Sequence, residues 1–266
     1  MTETVSAVIT TFNRSETLAR SIDSVLAQTR PCEELIVVDH GSEDQTSKVI
    51  ASFGSRVRLV HLARDPLGRP AVSRNAGVRA ASGSMVCFLD DDDIWEPNKI
   101  EIQLEASTRH PHVGLICSDA LRIDADGSLM SERYLAQTSG FSGKALKQLL
   151  RDNFVITSSV MAPVELIKAL GGFNEHPGLR AVEDYELWLR IAAIREVMFI
   201  PDPLVRYRIH DHKLSSQQSK DPFKGRRSAI RRAMSHAETR RYLPSFTAAI
   251  CRDYLRSLIT LSKGER

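Results

Sequence analysis

The chain has 266 residues, 42% of them hydrophobic and 26% charged, with 36 Lys and Arg against 33 Asp and Glu. That length buries a full core as one large domain, or as one domain with a helical appendage. No apolar run reaches membrane-spanning length and no charged-apolar-small leader opens the sequence, so neither a spanning helix nor signal-directed secretion is expected.

The four cysteines, Cys32, Cys87, Cys117 and Cys251, are scattered without metal-ligand spacing. They predict reduced core thiols in a cytoplasmic protein. The net charge of +3 divides unevenly: from Lys220 onward there are 12 Lys and Arg against 4 Asp and Glu, while the first 219 residues carry 24 against 29. The basic character belongs to the tail.

In chain order, "VSAVITT" (5–11) reads as a strand. It is followed by a helix with Leu18, Ile22, Val25 and Leu26 on one face and Ser15 as its N-cap. "ELIVVD" (34–39) is a second strand, "RVRLVHL" (56–62) a third and "SMVCFLD" (84–90) a fourth, with helical stretches through Ile50 and over 71–81 between them. Near-continuous apolar strands alternating with helices predict a mostly parallel sheet covered on both faces. Ligands then bind at the carboxyl ends of the strands. Polar clusters fall there three times, at 10–14, 39–42 and 90–93.

The last of these, in "FLDDDDIWEP", sets four carboxylates in a row. A helix N-terminus opened by Pro97 accounts for one or two of them. Adjacent carboxylates otherwise repel unless a cation neutralises them, and a divalent ion does so while leaving positions for phosphate oxygens. Four acids therefore predict a Mg2+ or Mn2+ diphosphate site. Trp95, just after them, either stacks on a sugar face or packs under the loop. Trp188 reads as core. In "VEDYELWLR", Leu187, Ile191 and Ile194 face the core, which sets Glu183 and Asp184 at a helix start, as an acidic cap or as chemistry. "NFVITSSVMAP" (153–163) reads as the lining of a pocket, with Thr157 and Ser158 as hydroxyl donors. The tail reads as two helices broken near Pro244, with Phe246, Ile250, Tyr254, Leu258 and Leu261 at helical spacing. Its paired arginines at 226/227, 231/232 and 240/241 suit either an anionic membrane surface or a solvated face.

"VITTFNR", "ELIVVDHGSEDQT", "VSRNAGVRAASGSMVCFLDDDDIWEPNKI", "GGFNEHPGLRAVEDYELWLRIA" and "VRYRIHDHKLS", in this order, resemble the inverting family-2 glycosyltransferases of GT-A fold. The resemblance runs from about residue 4 to residue 215. It implies an α/β GT-A (Rossmann-like, nucleotide-diphospho-sugar transferase) architecture: a mostly parallel central sheet flanked by helices, with a C-terminal helical appendage. The implied domains are 1–215, divided into a nucleotide-binding half (1–119) and an acceptor and catalytic half (120–215), and a basic extension over 216–266.

Carried over by position, the resemblance implies that Thr10, Phe12, Asn13 and Asp39 hold base and ribose. Arg74 and Asn75 lie beside the nucleotide, and Asp91 contacts sugar or ribose. Asp92, with Asp90 and His210, belongs to the metal site; His212 is the local alternative to His210, and Asp93 is left to cap the next helix. Asp184 is the general base and Glu183 its orienting neighbour. His40 stands where many relatives have a second acid, and either reaches the base or fills the turn. The implied cofactor is Mn2+ or Mg2+. The implied partners are a nucleotide-sugar donor (UDP-sugar favoured, GDP- or dTDP-sugar possible by the same chemistry) and a glycan or lipid-linked acceptor, with peripheral contact at the inner face of the membrane and a homo-oligomer as options and no nucleic acid. Two other classes share some of this pattern. A nucleotidyltransferase needs an early Gly-rich loop, and "TTFNRSET" has no glycine; a non-catalytic sugar-nucleotide binder would hold a donor without consuming it.

Overall fold

The computed structural model describes residues 3–135, 140–210, 221 and 223–264. The strands are β1 (Val5–Thr11), β2 (Glu34–Asp39), β3 (Arg58–His61), β4 (Met85–Asp90), β5 (Ile94–Trp95), β6 (Val113–Ile123), β7 (Leu129–Arg133), β8 (Met161–Pro163) and β9 (Glu196–Arg208). They form a sheet in the order β3-β2-β1-β4-β8-β6-β9-β5, with β7 on β6. β3, β2, β1 and β4 are parallel to one another, as are β6 and β9. The short β8 joins the two groups antiparallel to both β4 and β6.

The apolar runs explain this placement, because successive residues of a strand face opposite sides of the sheet. Val8, Ile36, Val38, Val86 and Phe88 enter one core, and Val5, Ile9, Leu35, Val37 and Leu89 enter the other. On the second face, α1 (Leu18–Leu26), α2 (Thr46–Ser52) and α4 (Lys99–Arg109) cover the sheet with Leu18, Ile22, Val25, Ile50 and Ile100. The first face holds α3 (Pro70–Ala80), α5 (Leu146–Leu149), α6 (Val164–Ala169) and α7 (Glu183–Ile194). α3 lies so close to β1 that a Cβ on Gly77 would stand 2.3 Å from Val8 Cγ1. Only glycine permits that approach, and it brings the preceding turn of α3 to the strand ends.

The tail packs into the same core. Ala229, Ile230 and Ala233 of α8 (Lys224–Met234) and Phe246 and Ala249 of α9 (Leu243–Gly264) are buried with α7. Arginines expected on a free basic face are partly used inside. Arg226 donates to the Arg151 carbonyl at 2.7 Å and pairs with Asp253 at 3.0 Å, Arg227 pairs with Asp221 and donates to the Ser257 hydroxyl at 2.7 Å, and Arg241 donates to the Ala193 carbonyl at 2.7 Å.

Several local expectations change. The Ser15 N–H donates to Asp44 at 3.1 Å and the residue caps nothing, because α1 starts three residues later. Trp95 is 2% exposed and donates to the Ser158 carbonyl at 2.8 Å, so it packs under the loop. The helical break precedes Pro244, in a 3-10 segment over Ala237–Tyr242. Tyr254 is 43% exposed, lying against Arg227 and Arg231, and the buried face of α9 runs through Phe246, Ala249, Asp253 and Ser257. The side chains of Leu258 and Leu261 lie outside the described ones.

Phe246 is fully buried in the core that the tail shares with α7. Phe246→Ala should lower the free energy of unfolding by about 3 kcal/mol. Leu255→Ala, at a side chain 62% exposed, should change it by less than about 0.5 kcal/mol. Urea unfolding of the two variants checks both, and equal effects would contradict this docking of the tail.

Candidate active site

The carboxyl ends of β1, β2 and β4 open on a cavity of about 550 Å³. Thr10, Phe12, His40, Asp90, Asp91 and Asp92 line its strand-end wall, and residues 153–157 and 180–185 form a second wall. Carboxylates from residues far apart in sequence thus face one space.

Arg74 holds the two walls together. Its buried guanidinium donates to Asp90 at 2.9 Å and, by a short bond, to Glu183, with the ring of Phe173 5.7 Å away. Burial opposes its charge, and the carboxylates of Asp90, Glu183 and Asp184 more than offset that, holding its pKa above the usual value. For Glu183 the balance goes the other way. Burial pushes its carboxyl up to about 7 despite Arg74, with Asp184 adding to the rise. Among the described residues its second oxygen has no hydrogen-bond partner.

Asp184, half-buried, accepts the Thr157 hydroxyl at 2.5 Å and the Tyr185 N–H at 2.7 Å. One bond falls on each oxygen, so each keeps acceptor capacity, and the residue lines the cavity. A first-turn acid is also favoured by the α7 dipole.

The acidic run divides by direction. Asp90 goes to Arg74. Asp91 accepts the Phe12 N–H at 3.4 Å and lies 3.9 Å from Arg14; burial, then Asp92, raise its carboxyl well above the usual range. Asp92 meets His210 at 2.8 Å. Asp93 is fully buried and turns inward, accepting the Ser158 hydroxyl at 2.6 Å and the Arg208 N–H at 3.0 Å. It caps no helix: α4 begins at Lys99, after Asn98. Among the described residues no group of three or more His, Cys, Asp and Glu converges as a metal site. The Asp92 carboxylate, which lines the cavity, is a donor type that Mn2+ and Mg2+ accept, and the His210 imidazole 2.8 Å from it, a poor ligand for Mg2+, makes the pair fit Mn2+ better. His212 lies outside the described residues.

Other expected residues support the walls. Asn13, at φ 52°, donates its N–H to Ser42 at 2.9 Å and accepts from the Glu43 N–H at 2.8 Å, stapling the loops after β1 and β2. Asp39 accepts the Ser42 N–H at 3.0 Å and lies 3.6 Å from His61. The Asn75 amide pairs with the backbone of Phe173, donating and accepting at 2.8 Å. A Cβ on Gly172 would stand 2.5 Å from that amide oxygen, so the second glycine of "GGFNE" admits it. Asn13, Asp39, Asn75 and His210 are not among the cavity-lining residues, whereas Thr10, Phe12 and His40 are. Ser73, Tyr134 and Tyr207 also line it. Nothing local in the sequence marks these three; only the position of Ser73 directly before Arg74 offered a signal.

The family profile described as "Glycosyl transferase family 2" matches residues 6–165, more than half of the sequence. The chain belongs to glycosyl transferase family 2. An uncharacterized glycosyltransferase of Rickettsia typhi is 29% identical over 213 residues, covering 78% of this chain and 64% of that protein. The chain therefore spans less than two thirds of that relative. The Escherichia coli protein WfgD, named a UDP-Glc:alpha-D-GlcNAc-diphosphoundecaprenol beta-1,3-glucosyltransferase, is 28% identical over 220 residues, 82% of this chain and 81% of its own. Among solved structures, S. aureus TarS 1–349 in complex with UDP-GlcNAc superposes with a TM-score of 0.67 at 18% identity, over 88% of this chain and 67% of TarS. The Pyrobaculum calidifontis mannosyltransferase PcManGT, with GDP-Man and Mn2+, gives 0.62 at 18% identity over 100% and 80%. At such identities the likeness is one of fold, and it agrees with the GT-A architecture expected of a family-2 chain.

Glu183 supplies a pH signature within this family-2 site. Its carboxyl is lifted from an ordinary 4.5 to about 7 by burial. Its stabilising share is complete below the unfolded value; as pH rises the unfolded chain releases the proton first, and that share is lost through the folded value. Between about pH 4 and 8, wild type should lose stability relative to Glu183→Gln as pH rises. A constant difference in urea unfolding would show that the carboxyl is not raised.

Proposed function

We propose that the protein is an inverting glycosyltransferase that moves a sugar from a nucleotide-sugar donor to an acceptor hydroxyl by metal-assisted single displacement. The observation that carries this is the meeting, across one cavity of a family-2 chain, of the acidic loop after β4 with the Glu183 and Asp184 pair. In this reading, residues 1–119 hold the nucleotide, residues 120–215 present acceptor and base, and residues 216–266 brace the second half.

Asp184 is the general base. Its two oxygens are oriented by Thr157 and the Tyr185 N–H, and the residue lines the cavity. The acceptor oxygen attacks the anomeric carbon opposite the departing diphosphate and gives its proton to the Asp184 carboxylate, as the bond to the diphosphate breaks and its electron pair leaves with the nucleotide. Glu183, bound to Arg74, orients rather than abstracts. Asp92 and His210 are the residues that would hold Mn2+ or Mg2+, with Asp91 on sugar or ribose and Asp90 fixed by Arg74. The ion, when bound, supplies positive charge to the leaving diphosphate. Thr10 and Phe12 border the nucleotide, with Asn13, Asp39 and Asn75 holding the loops around it.

A UDP-sugar is the favoured donor, with GDP and dTDP as the other bases. The names of WfgD and of the UDP-GlcNAc complex of TarS support the uridine nucleotide, and PcManGT supports GDP and Mn2+. The WfgD acceptor also supports a lipid-linked diphosphate glycan, and hence a place in cell-surface polysaccharide or glycolipid assembly. No described helix is long and apolar enough to cross a membrane. The chain would meet such an acceptor from the cytoplasmic side through the exposed Arg231, Arg232 and Arg240.

Release of nucleoside diphosphate from a donor panel, with and without Mn2+, tests the proposal; donor binding without turnover on any acceptor would favour a binding protein. Asp184→Asn should lower turnover by about 10²- to 10⁴-fold while nucleotide affinity stays within a factor of about two. Near-wild-type turnover would remove Asp184 from the base role. Changing Arg231, Arg232 and Arg240 to Ser in the full chain should abolish flotation with anionic vesicles, and undiminished flotation would exclude that surface.

A further inference from the structure

The wall that carries Asp184 also carries a guanidinium with open donors. Arg180 lines the cavity four residues before Asp184. Its Nε–H donates to the Gly68 carbonyl at 3.1 Å, and among the described residues its two terminal nitrogens have no partner. Arg69, the residue after Gly68, lines the same space. Its Nε and Nη1 donate to Asp65 at 2.7 Å and to the Glu175 carbonyl at 3.1 Å, which leaves Nη2 open among the described residues. The nearby carboxylates are committed: Asp65 to Arg69, and Glu175 to the Asn75 amide at 2.8 Å, so neither pairs with Arg180. Two guanidinium groups thus flank one glycine, and like charges so placed repel unless an anion shares them.

The fold fixes Arg180 from behind. Ala181 takes φ 69°, a region that residues with a Cβ rarely adopt. The tail holds this bend: Ser228 of α8 donates to the Gly178 carbonyl at 2.9 Å and Arg232 meets His176 at 2.6 Å. Gly225 lies so near that a Cβ on it would stand 3.1 Å from Val182 Cγ1. On the cavity side the Gly68 carbonyl sets the direction of the guanidinium.

The geometry of displacement selects the anion. The attacking oxygen and the departing diphosphate lie on opposite sides of the anomeric carbon. Asp92 in the acidic loop marks the diphosphate side, Asp184 marks the acceptor side, and Arg180 belongs to the segment of Asp184. The four residues between them span at most about 14 Å of chain. An arginine side chain and one sugar ring together bridge such a gap.

We propose that Arg180, with Arg69 beside it, binds a phosphate group of the acceptor, next to the sugar whose hydroxyl attacks. The acceptor class is then a glycosyl phosphate or diphosphate, and an uncharged glycan is disfavoured. This rests on the donor and base assignments above. Guanidinium groups bind phosphate oxygens through paired N–H donors, and hydrogen bonds between charged partners are the strong ones. A lipid-linked carrier and a free sugar phosphate share this chemistry.

Calorimetric titration of the full-length protein, held in excess UDP and Mn2+, tests it with decyl diphosphate, inorganic pyrophosphate and uncharged decyl glucoside as probes. Wild type should bind decyl diphosphate at least about 10-fold tighter than decyl glucoside. Pyrophosphate bound equally well identifies a free phosphate as the source, and pyrophosphate bound more weakly identifies a lipid carrier. Arg180→Gln should lose about 10-fold of the diphosphate affinity and keep UDP affinity within a factor of about two, and Arg180→Lys should recover part of the loss. Arg109→Gln, at an exposed arginine ending α4, should change neither. Equal binding of charged and uncharged probes, or undiminished diphosphate binding by Arg180→Gln, would overturn the inference and leave the donor site standing. Displacement of UDP by the diphosphate probe, or joint loss of both affinities in Arg180→Gln, would assign the arginine to the donor and overturn it too. Absence of UDP binding by wild type would overturn both readings.

Discussion

The burial of one guanidinium between two carboxylates underlies the arrangement of the site. Arg74 is 7% exposed and bonds Asp90 from the end of β4 and Glu183 from the start of α7. Taking such a charge out of water costs several kcal/mol. The partners that offset the cost come from two walls of the cavity, so one guanidinium ties the acidic loop after β4 to the start of α7.

That constraint explains how four consecutive acids coexist. Each meets a different partner: Arg74 for Asp90, the Phe12 amide and Arg14 for Asp91, His210 for Asp92, and the Ser158 hydroxyl with the Arg208 amide for Asp93. The repulsion is dispersed by pointing the carboxylates along different directions of a tight turn. The tail applies the same economy to opposite charge. Several of its arginines satisfy carbonyls and the carboxylates of Asp221 and Asp253 inside the fold, and the basic surface is smaller than its charge suggests.

The strands of the first half, the acidic loop and the α7 acids were legible because local signals carry them: apolar runs of strand length, polar residues at strand ends, helical spacing after Glu183. What the sequence hid depends on contacts across long separations. Asp93 looks like a cap because acids precede a helix, yet its partners are Ser158 and Arg208, 65 and 115 residues away. Asn13 and Asn75 look like ligands, yet they staple backbone to backbone. Tyr254 fits the apolar spacing of α9, but Arg227 and Arg231 lie against it at a half-exposed position, and Asp253 is buried instead because Arg226 pairs with it. Periodicity identifies a helical face; it does not reveal which charges find partners under it.

Three successive residues of α3 reach three separate parts of the molecule: Ser73 to His40, Arg74 to the acids of both walls, Asn75 to the Phe173 backbone. Consecutive helical residues point about 100° apart, so a single turn serves all three directions without strain. Pressed onto β1 at Gly77, that turn has little freedom to shift one contact alone. The orientation of that one turn therefore sets the reach of all three side chains at once.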